Sequence, residues 1–218
     1  MGNLLTVSEI FLSIQGESTR AGLPCSFVRL AGCNLRCKWC DTPYARLACQ
    51  GEEMSLDDVF ARVAELSCRR VEVTGGEPLV QPACAQLLKM FCDAGYETLL
   101  ETNGSFDISP VDGRVVRIVD FKCPSSGQEA SNRLQNVSLL TRRDEVKFVL
   151  AGRRDYEFAV KMVKEHSLAT RSGAVIFSPV RASLEPAELA RWVLADSLDV
   201  RLGLQLHKII WPDADRGV

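Results

Sequence analysis

Three cysteines within eight residues constrain this chain more than any other feature. They stand in the stretch Cys33-Asn34-Leu35-Arg36-Cys37-Lys38-Trp39-Cys40-Asp41-Thr42. Spaced C-x3-C-x2-C, the sulfurs can converge on one inorganic centre, and soft thiolates select iron-sulfur clusters, zinc or Cu(I). A four-iron cubane on three thiolates keeps one iron free of protein. An electron carrier normally fills that position with a fourth thiolate, whereas an enzyme can leave it open for a substrate or cofactor. A structural zinc site is usually closed by four ligands, and no further Cys or His stands at finger-like spacing.

The six remaining cysteines of the nine are scattered, and an odd total suits a reducing compartment better than a disulfide scaffold. Cys25, Cys68, Cys84 and Cys92 lie in or beside apolar segments and read as small hydrophobes. Cys49 and Cys123 fall in loops, and Cys49 is retained as a candidate for an added metal or redox role. The N-terminus has no basic stretch followed by an apolar core, and no apolar run reaches ~18 residues. A cytoplasmic protein without a membrane partner is expected. A net charge of -2 without a basic block argues against a dedicated nucleic-acid binder. The 218 residues fit a single domain, 1–218, without a linker.

Ser26 to Gly32 reads as a short buried strand leading directly into the cysteine loop. Ser55, followed three positions later by Asp58, has the side chains of a helix start, and Leu56, Val59, Phe60, Val63 and Leu66 recur at helical spacing. Strands are then expected over Arg70–Thr74, Tyr96–Glu101, Arg114–Phe121, Glu145–Leu150 and Ala174–Phe177. Helices are expected over Pro82–Ala94 and roughly 154–167. Strands alternating with helices predict an α/β fold with a parallel sheet. Six strands are too few for a closed eight-stranded barrel, which usually takes ~250 residues. An incomplete TIM-type barrel is therefore expected, its flank covered by Pro186–Ala195 and Val200–Trp211. The cysteine loop would lie beyond a strand's C-terminal end, the edge where parallel α/β folds place their chemistry.

With Gly75-Gly76-Glu77-Pro78 following the second of these strands, the chain resembles the radical S-adenosylmethionine superfamily. The resemblance narrows to the 7-carboxy-7-deazaguanine synthase family on five ordered stretches: Phe11 to Glu17, Phe27 to Thr42, Thr74 to Leu79, Glu101-Thr102-Asn103-Gly104, and Gln205-Leu206-His207-Lys208. It implies a radical SAM core, a 4Fe-4S cluster on Cys33, Cys37 and Cys40, S-adenosylmethionine and Mg2+. It also implies a lyase that contracts 6-carboxy-5,6,7,8-tetrahydropterin to 7-carboxy-7-deazaguanine with loss of ammonia, toward queuosine and related 7-deazapurines. An adenosyl radical would remove hydrogen from C6 of the pterin, with no catalytic side chain beyond cluster and cofactor. A reductant such as flavodoxin or ferredoxin and a homodimer are further expectations of the resemblance.

The same resemblance assigns Trp39, Gly75, Gly76, Glu77, Lys122, Cys123, Pro124, Ser125 and Ser178 to the cofactor. Glycines leave backbone exposed for close approach, and Glu77 is expected to pair with the methionine ammonium. Ile14, Gln15, Gly16, Glu17, Arg29, Thr74 and His207 are assigned to the substrate. Arg29 suits a carboxylate, which a guanidinium binds through two donors. Thr42 matches the family's magnesium ligand, with Asp41 adding negative charge; without the resemblance, Asp41-Thr42 reads as a helix cap. His166 shares a helical stripe with Met162 and Val163 and reads as a packed or surface histidine.

Two departures stand out. Ser18 occupies a position where the family commonly has glycine. The chain also continues from Pro212 through Val218, where some members end and use their terminal carboxylate. Two rivals would share the cysteine spacing: a glycyl-radical-enzyme activase, which needs a broad docking face, and a non-catalytic iron-sulfur or zinc protein.

Overall fold

The computed structural model describes residues 3–181 and 183–218. In chain order the strands are β1 (Leu4–Ile14), β2 (Pro24–Leu30), β3 (Glu52–Ser55), β4 (Arg70–Gly75), β5 (Glu97–Thr102), β6 (Val116–Asp120), β7 (Glu145–Leu150), β8 (Ala174–Pro179) and β9 (Arg201–Leu202). The helices are α1 (Leu56–Glu65), α2 (Cys84–Asp93), α3 (Arg153–Glu165), α4 (Leu168–Arg171), α5 (Pro186–Ala195) and α6 (Leu206–Ile210). All strands join one sheet in the order β3-β1-β2-β4-β5-β6-β7-β8-β9. The run from β2 to β9 is parallel, while β1 is antiparallel to both β2 and β3. The two edge strands do not pair, so this is the expected open, partial barrel.

Among the described residues the expected six strands become nine. Leu4–Ile14 alternates buried and part-exposed positions at its start, as a half-covered antiparallel strand does. Glu52–Ser55 and Arg201–Leu202 are too short to carry a periodic signal. Where the local signals were strong, they hold. Ser55 Oγ accepts from the Asp58 backbone N–H at 3.1 Å and caps α1.

Pleating divides each central strand between two surroundings. Val28, Leu30, Val71, Val73 and Leu100 point outward and pack with Val59, Val63, Leu87, Leu88 and Phe91 of α1 and α2. Val119, Phe121, Val146, Phe148 and Phe177 form the matching layer with Tyr156, Ala159 and Met162 of α3. Inward-facing Leu99, Val116 and Ile118 plug the barrel's lower end as a separate apolar cluster. Above that plug the inward positions change character, to Arg29, Glu72, Thr74, Glu101, Asp120 and Lys147, which line an open cavity.

Candidate active site

The cavity is about 530 Å³ and opens at the C-terminal ends of the parallel strands. Cys33, Cys37 and Cys40 line it together with Trp39, Thr42, Gly75, Gly76, Lys122, Cys123 and Ser178. So do Ile14, Gln15, Gly16, Glu17, Arg29, Thr74 and His207. Residues more than 190 positions apart in sequence thus share one chamber.

The cysteine loop is fastened by backbone. Gly32 N–H donates to Ala45 O at 2.8 Å, Cys33 N–H to Arg46 O at 3.0 Å, and Lys38 N–H to Ser126 O at 3.3 Å. Arg46 also donates to Cys37 O at 2.9 Å. Burial pushes the Cys33 and Cys37 thiols above their ordinary value. Leu35 N–H lies 3.4 Å and Asn103 Nδ2 3.9 Å from Cys33 Sγ, donors of the kind that tune a cluster through its sulfurs. Among the described residues, no three His, Cys, Asp or Glu side chains are gathered as for a single metal ion. Cys49 is exposed.

The double glycine answers to close packing. Gly75 has φ 140°, and a β-carbon on it would fall 2.1 Å from Leu30 O; one on Gly76 would fall 2.2 Å from Gly32 O. The turn after β4 is thereby pressed against the base of the cysteine loop. The Glu77 carboxylate is buried outside the cavity lining and accepts from Leu79 N–H at 3.0 Å, Thr102 Oγ1 at 2.8 Å and Asn103 N–H at 2.6 Å. It ties the turn to the end of β5. Burial raises its pKa, against these bonds. Pro124 and Ser125 are likewise outside the lining, because Ser125 N–H is turned away to Asp155 Oδ1 at 2.9 Å; Ser126 lines the cavity instead.

Arg29 is held by Glu9, whose Oε1 accepts from its Nε at 2.7 Å and from the Tyr44 hydroxyl at 2.8 Å. Among the described residues, the two terminal nitrogens of Arg29 make no protein hydrogen bond. The segment after α6 returns over this corner. Arg216 stacks 4.3 Å above the Tyr44 ring, Gly217 N–H donates to Glu9 Oε2 at 3.2 Å, and Pro212, Ala214, Asp215 and Val218 join the lining. Within the segment expected over the barrel's flank, residues 200–211, Gln205, His207 and Lys208 line the cavity. Leu206 N–H donates to Gly16 O at 2.9 Å, docking α6 on the Gln15-Gly16-Glu17 loop. Burial lowers the pKa of His207. Ser18 has φ 58°, the left-handed region glycine enters at least cost, which explains a glycine preference there.

Deeper in the cavity, Lys147 pairs with Glu17 Oε2 at 2.8 Å and with Glu101, whose other oxygen accepts from Thr74 Oγ1 at 3.2 Å. Burial opposes ionisation of Glu101, but the bonded ammonium outweighs it and holds the carboxyl below its usual range. Lys122 pairs with Asp120 Oδ2 at 2.6 Å. Thr42 precedes a short 3-10 turn without capping it by side chain, and its Oγ1 lies 3.9 Å from Cys40 Sγ. Asp41 accepts from Gln205 Nε2 at 3.1 Å and faces Lys208 Nζ at 3.5 Å.

A family model described as Radical SAM superfamily matches residues 28–125. A 7-carboxy-7-deazaguanine synthase of Koribacter versatilis is 44% identical over 228 residues, covering 98% of this chain and 100% of the relative. One of Chlorobaculum tepidum is 47% identical over 218 residues, covering 98% and 97%. The chain belongs to the 7-carboxy-7-deazaguanine synthase family. The crystal structure of QueE from Escherichia coli shares the fold, with a TM-score of 0.75 at 23% identity over 94% of this chain and 95% of that one. A more distant likeness is Streptococcus suis SuiB, at TM-score 0.56 and 12% identity over 78% of this chain and 46% of that one.

As a radical SAM member of the synthase family, the protein takes a 4Fe-4S cluster and S-adenosylmethionine. The residues present fit both groups. Three thiols and no fourth cysteine at comparable spacing meet the demand of a cluster with one open iron, and Cys33 already has N–H donors on its sulfur. Asp120 Oδ1 is buried without a protein partner among the described residues, leaving an acceptor beside the cavity for a polar ligand. Sequence reading missed Glu9, Tyr44, Glu72, Glu101, Asn103, Asp120, Lys147, Gln205 and Lys208. The available signal was a charge at an inward position of an apolar strand, as in Val71-Glu72-Val73 and Val146-Lys147-Phe148. No helix among the described residues is long and apolar enough to cross a membrane.

Proposed function

We propose that the chain, acting as one catalytic domain over 1–218, carries out ring contraction of 6-carboxy-5,6,7,8-tetrahydropterin to 7-carboxy-7-deazaguanine in this cavity. The observation that carries this reading is the lining itself. One chamber holds the three cysteines and the glycine turn of a radical SAM centre together with Arg29, the Gln15–Glu17 loop and His207. Membership of the synthase family supplies the reaction.

Cys33, Cys37 and Cys40 would hold the cluster, and Trp39, Gly75, Gly76, Lys122, Cys123 and Ser178 would surround S-adenosylmethionine. When bound, these groups supply one-electron cleavage of a sulfur–carbon bond and a carbon radical able to take hydrogen from the substrate. The rest falls to the chain's own residues. Arg29, fixed through Nε, has two further donors for the pterin carboxylate. Gln15, Glu17 and Thr74 offer donors and acceptors to the ring edge. Neutral His207 can accept or donate one proton at the cavity rim. The Thr42 hydroxyl, free of a capping bond, is available to magnesium, which needs few protein ligands beside substrate oxygens and water. A cytoplasmic setting, a flavodoxin- or ferredoxin-type donor and a homodimer complete the proposal.

The test is anaerobic incubation of the reconstituted, reduced protein with S-adenosylmethionine and 6-carboxytetrahydropterin. Mass spectrometry should detect 7-carboxy-7-deazaguanine, with ammonia released in equal amount. Cofactor cleavage without that product would sink the substrate assignment, and a full 4Fe-4S spectrum in Cys37→Ala would sink the ligand assignment.

A further inference from the structure

Glu72 belongs to no part of the mechanism above, yet it stands on the cavity floor. It lies on β4 two residues below Thr74, aligned with Phe27 of β2 and Leu99 of β5, and is only 2% exposed while still lining the chamber. Such a carboxyl needs a reason. Outward-facing neighbours Val71 and Val73 satisfy the strand's packing needs, so apolar burial would be served equally well by a third valine.

The groups that face Glu72 decide its state. Gln15 Nε2, from the loop after β1, donates to its Oε2. Lys147 from β7 is the cation that acts on it, but it is already bonded to Glu101 from β5 and to Glu17 from the same loop as Gln15. Cys25 of β2 is fully buried nearby and brings no charge. One ammonium therefore serves two other carboxylates, and Glu72 has no ion-pair partner among the described residues. A third buried anion beside two would be opposed by desolvation and repulsion together, so the proton stays on Glu72. Burial, then Glu101, push its pKa well above the usual carboxylate range.

A protonated carboxyl is a hydrogen-bond donor as well as an acceptor. Its Oε1 has no protein partner among the described residues. Gln15 is fixed beside it, because Gln15 Oε1 accepts from Glu17 N–H at 2.6 Å and its Nε2 is turned to Glu72. We propose that Glu72 is a further substrate-positioning residue, which as a neutral acid donates a hydrogen bond from the cavity floor to a ring carbonyl or ring nitrogen of the bound heterocycle. The inference rests on the pterin reading and assigns that substrate's acceptor edge to the β4 side of the cavity. A side chain that only braced Gln15 would need an acceptor, not a donor.

The experiment is anaerobic calorimetric titration of 6-carboxytetrahydropterin into the reconstituted enzyme with S-adenosylmethionine and no reductant, for wild type, Glu72→Gln and Glu72→Ala. Losing a buried hydrogen bond should raise Kd about tenfold in Glu72→Ala. Glu72→Gln, which keeps a neutral donor, should recover most of that loss. Wild-type affinity should fall as pH rises through the Glu72 titration, while that of Glu72→Gln should stay level. Infrared spectra should show a protonated-carboxyl band that Glu72→Gln lacks. Unchanged Kd in Glu72→Ala overturns the assignment alone, and equal weakening in both variants shows that charge is used and overturns it too. No binding by wild type defeats the pterin reading and this inference together. Should Glu72→Ala fail to fold, the Glu72→Gln profile and the infrared band decide.

Discussion

Gly16 and His207 lie so close that a β-carbon on Gly16 would fall 2.1 Å from His207 Nδ1 and 3.1 Å from the His207 backbone nitrogen. The contact joins the loop after β1 to α6 across almost the whole chain. It explains why a glycine stands between Gln15 and Glu17 although its backbone is not in the left-handed region. Gly16→Ala must push α6 outward and carry His207 with it. We expect KM for the pterin to rise about tenfold while the cluster's absorption is unchanged. Steady-state kinetics with wild-type KM would remove the contact from the site's construction.

Glu77 accepts three hydrogen bonds from within the protein. Replacing it with Gln turns an NH2 group toward at least one of three donors, from Leu79, Thr102 and Asn103. An unsatisfied buried N–H costs about 1–3 kcal/mol. Urea unfolding of Glu77→Gln should show a loss of that size, and Asn103, bonded at 3.1 Å to Asn34 in the cysteine loop, should transmit it to cluster retention. A variant as stable as wild type would mean that these three bonds do not hold the turn.

Lys147→Met leaves Glu17 and Glu101 facing each other without a counter-ion. Breaking a buried pair by removing one partner costs about 3–5 kcal/mol, and the partial exposure of both carboxylates places this case near the lower bound. The pH dependence has a definite sign. In wild type the depressed pKa of Glu101 contributes stability above its unfolded value, about 4.3, and that stability is lost as pH falls. Chemical denaturation should find this acid-side loss reduced in the variant.

Glu9 latches the segment that follows α6. Its Oε1 holds Arg29 and Tyr44, and its Oε2 holds Gly217. Glu9→Gln can keep only one of these acceptor positions, and the 2.7 Å charge-assisted bond to Arg29 should claim it. Hydrogen exchange of a peptide covering residues 212–218 should then speed up about tenfold, for a loss near 1.4 kcal/mol. Exchange at the wild-type rate would mean that Arg216 on Tyr44 suffices to hold the segment.

These contacts also mark where sequence reading reached and where it stopped. The helix starting at Ser55 and the parallel strands were legible because an apolar period and a cap are local signals. The cluster loop and the glycine turn were legible because their chemistry fixes spacing within a few residues. The partner of Arg29 was not, since Glu9 sits on an antiparallel strand whose pairing with β2 has no counterpart in the β-α repeat. Nor were the protein donors on Glu77. Its side chain is claimed by Thr102 and Asn103, which are near it only once β4 and β5 are paired. Lys147 and Glu72 carried a readable sign, a charge inside an apolar strand, but not its meaning. Which of the buried charges is paired depends on four elements meeting at one depth in the barrel.

That depth yields the last prediction, which needs no substrate. Glu72 keeps its proton in the folded chain at pH values where the unfolded chain has released it, near 4.3 for an ordinary glutamate. Between that value and the raised native one, the native state binds more protons than the unfolded state. Stability therefore falls with rising pH, by up to about 1.4 kcal/mol per unit from this one group. A glutamine side chain takes up no proton in either state, so Glu72→Gln should lose that slope and gain on wild type as pH rises from the unfolded value toward the raised native one. Contributions from Glu101 and the other carboxylates persist in both proteins and largely cancel in the difference. Urea titrations across that range measure it directly. A difference that stays flat with pH would mean that Glu72 is ionised on the cavity floor, with Lys147 shared among three carboxylates instead of two.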